Sequence, residues 1–189
     1  MFVLAALTPA GAVAATVSAA SCSSADVQVA LNRAAAGDTV SIPAGTCHWA
    51  TGVTWTAPPN VTLQGAGSPS TYGNNDATVI IDDISRSGYD APLLNITISG
   101  TEKFRMTGIT FRGSGNSSTY SYNGSVRISG ATQQMRLDHL HFDSIVHTAL
   151  LVAGQMYGVI DHNVFDLYSG TGVRFYAGNW GGGGEGDGS

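Results

Sequence analysis

The apolar positions of this chain fall into short runs that recur at a fixed distance from a phenylalanine. Aligned on that residue, TISGTEKFRMTGITF (97–111), RISGATQQMRLDHLHF (127–142) and LVAGQMYGVIDHNVF (151–165) each read as strand, glycine, short connection, second strand, bend and third strand. The glycine-to-phenylalanine spacing is 11, 12 and 11 for Gly100–Phe111, Gly130–Phe142 and Gly154–Phe165, whereas successive phenylalanines lie 31 and 23 residues apart. The variation in length therefore belongs to one loop, GSGNSSTYSYNG (113–124), and GVRFYAG (172–178) opens a fourth copy.

Parity shows where the backbone turns. Met135 and Leu137 share a strand face, as do Leu140 and Phe142, but Leu137 to Leu140 is an odd step that a straight strand cannot place on one side. The same break separates Met106 from Ile109, and Asn163 is expected to hold the bend of the last copy, because asparagine tolerates positive φ. A helix would also give a step of three, but β-branched runs with interspersed glycines oppose it. Short strands with tight bends, repeating every about 20–50 residues, describe a solenoid whose coils bury their apolar faces against one another and wind right-handed. Met106, Leu137 and Ile160 should form one interior stack, and Phe111, Phe142 and Phe165 another.

Upstream, SSADVQVALNRAAAG (23–37) has an N-cap region, an apolar face of Val27, Ala30, Leu31 and Ala34, and Gly37 as a C-terminal stop. It predicts a short amphipathic helix. DTVSIPAGTCHW (38–49) then gives an alternating strand through Val40 and Ile42, closed by a Pro-Ala-Gly turn.

Composition narrows the class. A chain of 189 residues with 25 glycines and only 11% charged side chains suits one β-rich domain rather than disorder or a helical bundle. Residues 1–20 carry no charge and form an apolar run broken by Pro9 and Gly11, ending in small residues near Ala19 and Ala20. That is the pattern of a signal peptide, although no Lys or Arg precedes the run. Thr8, Thr16 and Ser18 dilute the segment below what a spanning helix needs, and Ala19 stands where a lipoprotein signal wants a large aliphatic. The expected location is therefore extracellular, with no membrane association after cleavage. The net charge of −5 disfavours nucleic acid. In that compartment two cysteines, Cys22 and Cys47, invite one disulfide rather than two unrelated buried thiols. The sequons at Asn60, Asn95, Asn116 and Asn123 would accept glycans only in a eukaryotic secretory host.

Adjacent coils stack about 4.8 Å apart, so Asp138 should lie over Asp161 and His139 over His162. Stacked carboxylates repel unless a cation, a proton or an imidazolium intervenes. One reading is a Ca²⁺ or acid/base site on Asp138 and Asp161 with His139 or His162. The other has the acids facing water and the histidines satisfying backbone groups at the bend, and repetition favours it. Asp143 and Asp166 form a similar ladder, and IIDDIS (80–85) holds a further carboxylate pair with no partner pattern.

The opening ASCSSADVQVALNRAAAGDTVSIPAGTCHW, then VTLQGAG, resembles the cap and first coil of pectate-lyase-like right-handed parallel β-helix proteins, and IDHNVF resembles their coil repeat. The resemblance covers roughly 21–178, with 1–20 as leader and 179–189 as a glycine-rich tail. It implies an all-β, right-handed parallel β-helix with a short N-terminal capping helix. The incomplete fourth coil before GNWGGGGEGDGS (178–189) suggests truncation at the C-terminal end, so the chain is expected to be a monomer or one stretch of a longer protein.

Enzymes of this kind place substrate over the sheet that precedes the coil glycine. Transferred here, that face holds Arg127, Arg174 and Tyr176, with His147, Tyr168 and the 113–124 loop on its rim. An arginine can serve such lyases as base or as a bidentate carboxylate clamp, which makes Arg127 and Arg174 the catalytic candidates. His147, Tyr168 and Tyr176 are the substrate-binding candidates. The Gly-His-Gly signature of polygalacturonases is absent, NND (74–76) matches their Asn-x-Asp only in isolation, and lysine occurs once, at Lys103. Fold does not fix function. Two classes stand: a secreted protein binding or cleaving acidic polysaccharide, foremost a Ca²⁺-assisted polysaccharide lyase, or a non-catalytic adhesin or surface protein.

Overall fold

The computed structural model describes residues 13–67, 76–86, 91–100, 102–114 and 124–176, the side chain of His147 excepted. The first twelve residues of the expected leader, Asn74 and Asn75 of NND, residues 115–123 of the expected rim loop with the sequons at Asn116 and Asn123, and the tail from 177 lie outside that set.

An edge strand, β1 (Thr16–Ser18), and the helix α1 (Ser24–Arg33) come first. β2 (Thr39–Ser41), β3 (Gly45–Trp49) and β4 (Val53–Ala57) make one turn, and β5 (Val61–Gln64), β6 (Thr78–Asp82) and β7 (Leu94–Ile98) the next. β8 (Lys103–Thr107), β9 (Thr110–Gly113), β10 (Val126–Asp138), β11 (His141–Asp161) and β12 (Val164–Tyr176) continue the winding. All pairings among the described residues are parallel, each strand segment lying beside its equivalent one turn on. The result is an all-β, solenoid-like coil with three faces. The first runs β1, β2, β5, β8 and the ends of β10 and β11; the second runs β3, β6, β9 and the starts of β11 and β12; the third runs β4, β7, the start of β10, and the later parts of β11 and β12.

The core is the inside of this coil. Met106 and Leu137 are fully buried in register, with Ile160 packed against the same cluster. Phe111, Phe142 and Phe165 stack at centroid separations of 5.6 and 5.0 Å. Both interior stacks follow the parity of the sequence.

Ladder glycines let the backbones pass. Gly130 and Gly154 sit opposite one another with φ of +115° and +106°, and a Cβ on Gly154 would lie 2.1 Å from the Gly130 carbonyl oxygen. Gly100 is not their ladder partner: Gly130 pairs with Ile98, so the glycine of the earlier copy falls two residues further on, in the turn. The extra residue of the middle copy is a bulge between Thr132 and Met135.

At the N-terminal end, Ser23 caps α1 by accepting from Asp26 N–H, and Val27, Ala30 and Leu31 face the core. The helix stops at Ala34, whose backbone is extended, three residues before the expected glycine. Gly37 instead takes φ +88° in the following turn and donates its N–H to the Pro59 carbonyl. Cys22 and Cys47 form a disulfide with Cα atoms 5.7 Å apart, tying the start of α1 to β3. Trp49 adds an indole hydrogen bond to the Cys22 carbonyl.

Candidate functional site

The repeated Asp-His pair occupies the corner between the first and second faces. Asp138 stacks on Asp161, and Arg105 on Arg136, in parallel register. Each guanidinium reaches diagonally to the carboxylate one coil on. Arg105 donates from Nε and Nη2 to Asp138 at 2.7 and 2.6 Å, and Arg136 donates to Asp161 at 3.2 and 3.0 Å. Alternating charge thus relieves the repulsion between stacked acids.

Asp138 is fully buried and also accepts from the Thr107 hydroxyl at 3.1 Å. Burial pushes its carboxyl up, but Arg105, His139 and Thr107 outweigh that and hold it well below the usual carboxylate range. Asp161 is held low by Arg136 and His162. A metal ion on Asp138 and Asp161 would have to displace these guanidinium contacts.

The histidines of the pair hold the bend. His139 and His162 both take φ +53°, and Gly108 holds the same place in the preceding coil at +71°. Asn163, expected at that place, works instead as a ladder amide, accepting from Leu140 N–H and donating to the Leu137 carbonyl. Nor do the imidazoles serve backbone groups: each Nδ1 faces the carboxylate of its preceding aspartate, at 2.6 and 2.7 Å, and the rings stack 5.3 Å apart.

The outward row of the third face, opposite in parity to the core positions Ile96, Ile128 and Val152, reads Thr54, Asn95, Arg127, Leu151 and Arg174 across successive strands, with Leu151 itself only 2% exposed. Arg127 and Arg174 are therefore two strands apart, ~10 Å along the coil. The Arg174 guanidinium lies 5.5 Å from the Tyr176 ring centroid. Arg127 Nε and Asn95 Oδ1 are buried without a hydrogen-bond partner among the described residues. The backbone of His147 pairs with Gly170 on the approach to this face, and Tyr168 stands 82% exposed nearby in sequence.

A second cluster was not visible in the sequence. On the second face, His141 Nδ1 lies 2.9 Å from Asp76 Oδ2, both side chains only 4% exposed. Arg112 approaches Asp76 at 3.7 Å and Asp143 at 2.5 Å, and Asp143 also accepts from Ser144 at 2.7 Å. Burial raises the Asp143 carboxyl, while Ser144 and Arg112 outweigh it and leave the group below its ordinary range. His141 Nε2 and Asp76 Oδ1 are buried with no partner among the described residues. The available signal was a break in the repeat: the ladder at this position reads Thr110, His141, Val164.

The acids of IIDDIS do have partners. Asp82 pairs with Arg86 at 2.9 Å and Asp83 with His48 Nδ1 at 2.5 Å. Burial pushes Asp82 up, and Arg86 offsets only part of it.

No helix among the described residues is long and apolar enough to cross a membrane. No family model, curated protein or solved structure matches the chain.

Proposed function

We propose that this chain is an exported right-handed parallel β-helix of the pectate-lyase-like kind that engages acidic polysaccharide on its third face, foremost as a polysaccharide lyase. The observation that carries this reading is the outward row in which Arg127 and Arg174 lie two strands apart, ~10 Å, close to the length of two sugar units. Guanidinium groups at that spacing can each take a uronate carboxylate bidentately. Arg127 Nε and the Asn95 side-chain oxygen beside it are buried without a hydrogen-bond partner among the described residues, which is polar valence at this row that those residues leave unmet. Arg174 brings the aromatic ring of Tyr176 with it, a surface on which a sugar ring can stack.

In the lyase reaction a base removes the proton beside the uronate carboxylate, a C=C double bond forms as the glycosidic C–O bond on the next carbon breaks, and the departing oxygen takes up a proton, while cations neutralise the carboxylate. Arg127 and Arg174 are the protein groups for that neutralisation, and Ca²⁺ is the added cation to test. Arg127→Ala should weaken binding of polygalacturonate or alginate at least tenfold and abolish the ultraviolet absorbance of unsaturated products, with chelator suppressing the product in the unaltered protein. Binding unchanged by the substitution, with no product under any condition, would remove this reading and leave a non-catalytic adhesin.

A further inference from the structure

Residues 15–19 belong to the fold. β1 pairs in register with β2 through Thr16–Thr39, Val17–Val40 and Ser18–Ser41, and Ala19 donates its N–H to the Ser41 carbonyl at 2.9 Å. Ala19 is 6% exposed and belongs to the core cluster, against which Val17 packs. Cleavage near Ala19 or Ala20 would remove this strand and leave the outer edge of β2 unpaired.

Five residues earlier the chain offers a different cut. Ala12, Val13 and Ala14 form a small-x-small triplet of the kind that export peptidases read. Immediately after it, the Ala15 carbonyl accepts from Thr39 N–H at 2.8 Å, and Ala15 N–H donates to Asp38 Oδ1 at 2.9 Å. Asp38 is 7% exposed, and its other oxygen accepts from Ala35 N–H at 2.9 Å. A carboxylate is already in place at the nitrogen that such a cut would free.

Resting on the exported reading above, we infer that the leader is removed between Ala14 and Ala15, and that Asp38 is the receptor for the new N-terminus. The peptidase adds water across the Ala14–Ala15 amide, leaving a carboxylate on Ala14 and an ammonium on Ala15. The neutral donor at Asp38 becomes a cation at the same position, turning an ordinary hydrogen bond into a charge-assisted one. Cleavage at this bond keeps every β1 contact and adds an ion pair; cleavage at Ala19 or Ala20 keeps neither.

Two measurements test this. The full chain, expressed with its own leader in a secreting bacterial host, is fractionated, and the exported form is identified by intact mass and N-terminal sequencing. A first residue of Ala15 supports the inference. Export with a first residue of Ala20 or Ser21 overturns it while leaving the exported reading intact, and retention of Met1 in the cytoplasm overturns both.

Independently of any host, chains released from a cleavable fusion with Ala15 or Ser21 as first residue are compared in urea. Each is measured with and without Nα-acetylation, and with and without the substitution Asp38→Asn. The Ala15 chain should have the highest midpoint, and acetylation should lower it only while Asp38 is present. An acetylation effect of equal size in Asp38→Asn would overturn the role of Asp38.

Discussion

The motif aliphatic-Asp-His-x-x-Phe occurs in two successive coils, and the two copies live in different surroundings. In the inner copy Leu137, Asp138 and Phe142 are fully buried, with a coil on either side. In the outer copy the Asp161 side chain is 26% exposed, and Ile160 and Phe165 are only partly buried. The bend is nonetheless the same in both, with φ of +53° at His139 and at His162. The sequence repeat thus fixes the path of the chain, while position in the stack decides what each side chain contributes.

The largest separation should come from the aromatic stack. Phe142 lies between two rings, whereas Phe165 has one ring neighbour among the described residues. Phe142→Ala should cost about 3–5 kcal/mol. Phe165→Ala, which removes a half-buried ring, should cost about 1–2 kcal/mol. Urea denaturation at neutral pH measures both, and equal losses would show that the outer copy is as deeply packed as the inner.

The carboxylates should separate next. Asp138→Asn strips a buried acceptor from Arg105, Thr107 and His139 at once, and should cost about 1–3 kcal/mol. The lower part of that range applies if the Arg105 guanidinium, 36% exposed, recovers water. Asp161→Asn should leave the urea midpoint nearly unmoved, because its ion pair with Arg136 is open to solvent. A larger effect at Asp161 than at Asp138 would refute burial as the distinguishing factor.

Acid should report the same difference. The folded-state carboxyl of Asp138 is depressed below its unfolded value, so its contribution is present above about pH 4 and is lost as pH falls through the folded value. Stability of the unaltered protein should therefore fall as pH drops below about 4. In Asp138→Asn that fall should be shallower, measured as the urea midpoint from about pH 6 to about pH 3, and an unchanged slope would mean other carboxyls carry it.

Much of the fold was legible because a solenoid repeats its instructions: odd steps at Leu137–Leu140 marked the bends, and aligned phenylalanines marked the stack. Ion pairing was harder to see because it runs diagonally. Arg105 reaches Asp138, 33 residues away, only when Arg105 is placed opposite Arg136, and no spacing within one strand reveals that. The helix end was misplaced because Ala34 leaves the helix in extended backbone, although Ala35 and Ala36 have good helical propensity. Least legible was His141, since the repeat draws attention to what recurs and His141 is where copies disagree, with its partner Asp76 lying 65 residues upstream on another coil.

The smallest effect should be the one that does not distinguish the copies. A non-glycine residue at φ near +53° carries backbone strain, and glycine does not, which is why Gly108 fits the equivalent bend. Alanine at His139 or His162 retains that strain and also loses the imidazole contact to the preceding aspartate. Glycine loses the same contact but relieves the strain. The alanine variant should therefore be less stable than the glycine variant by about 1 kcal/mol, and by the same amount at both positions despite their different exposure. The comparison subtracts the side chain and leaves the backbone alone. Thermal unfolding of the four variants measures it, and a glycine advantage confined to His139 would mean that the outer bend relaxes out of the left-handed region once its imidazole is gone.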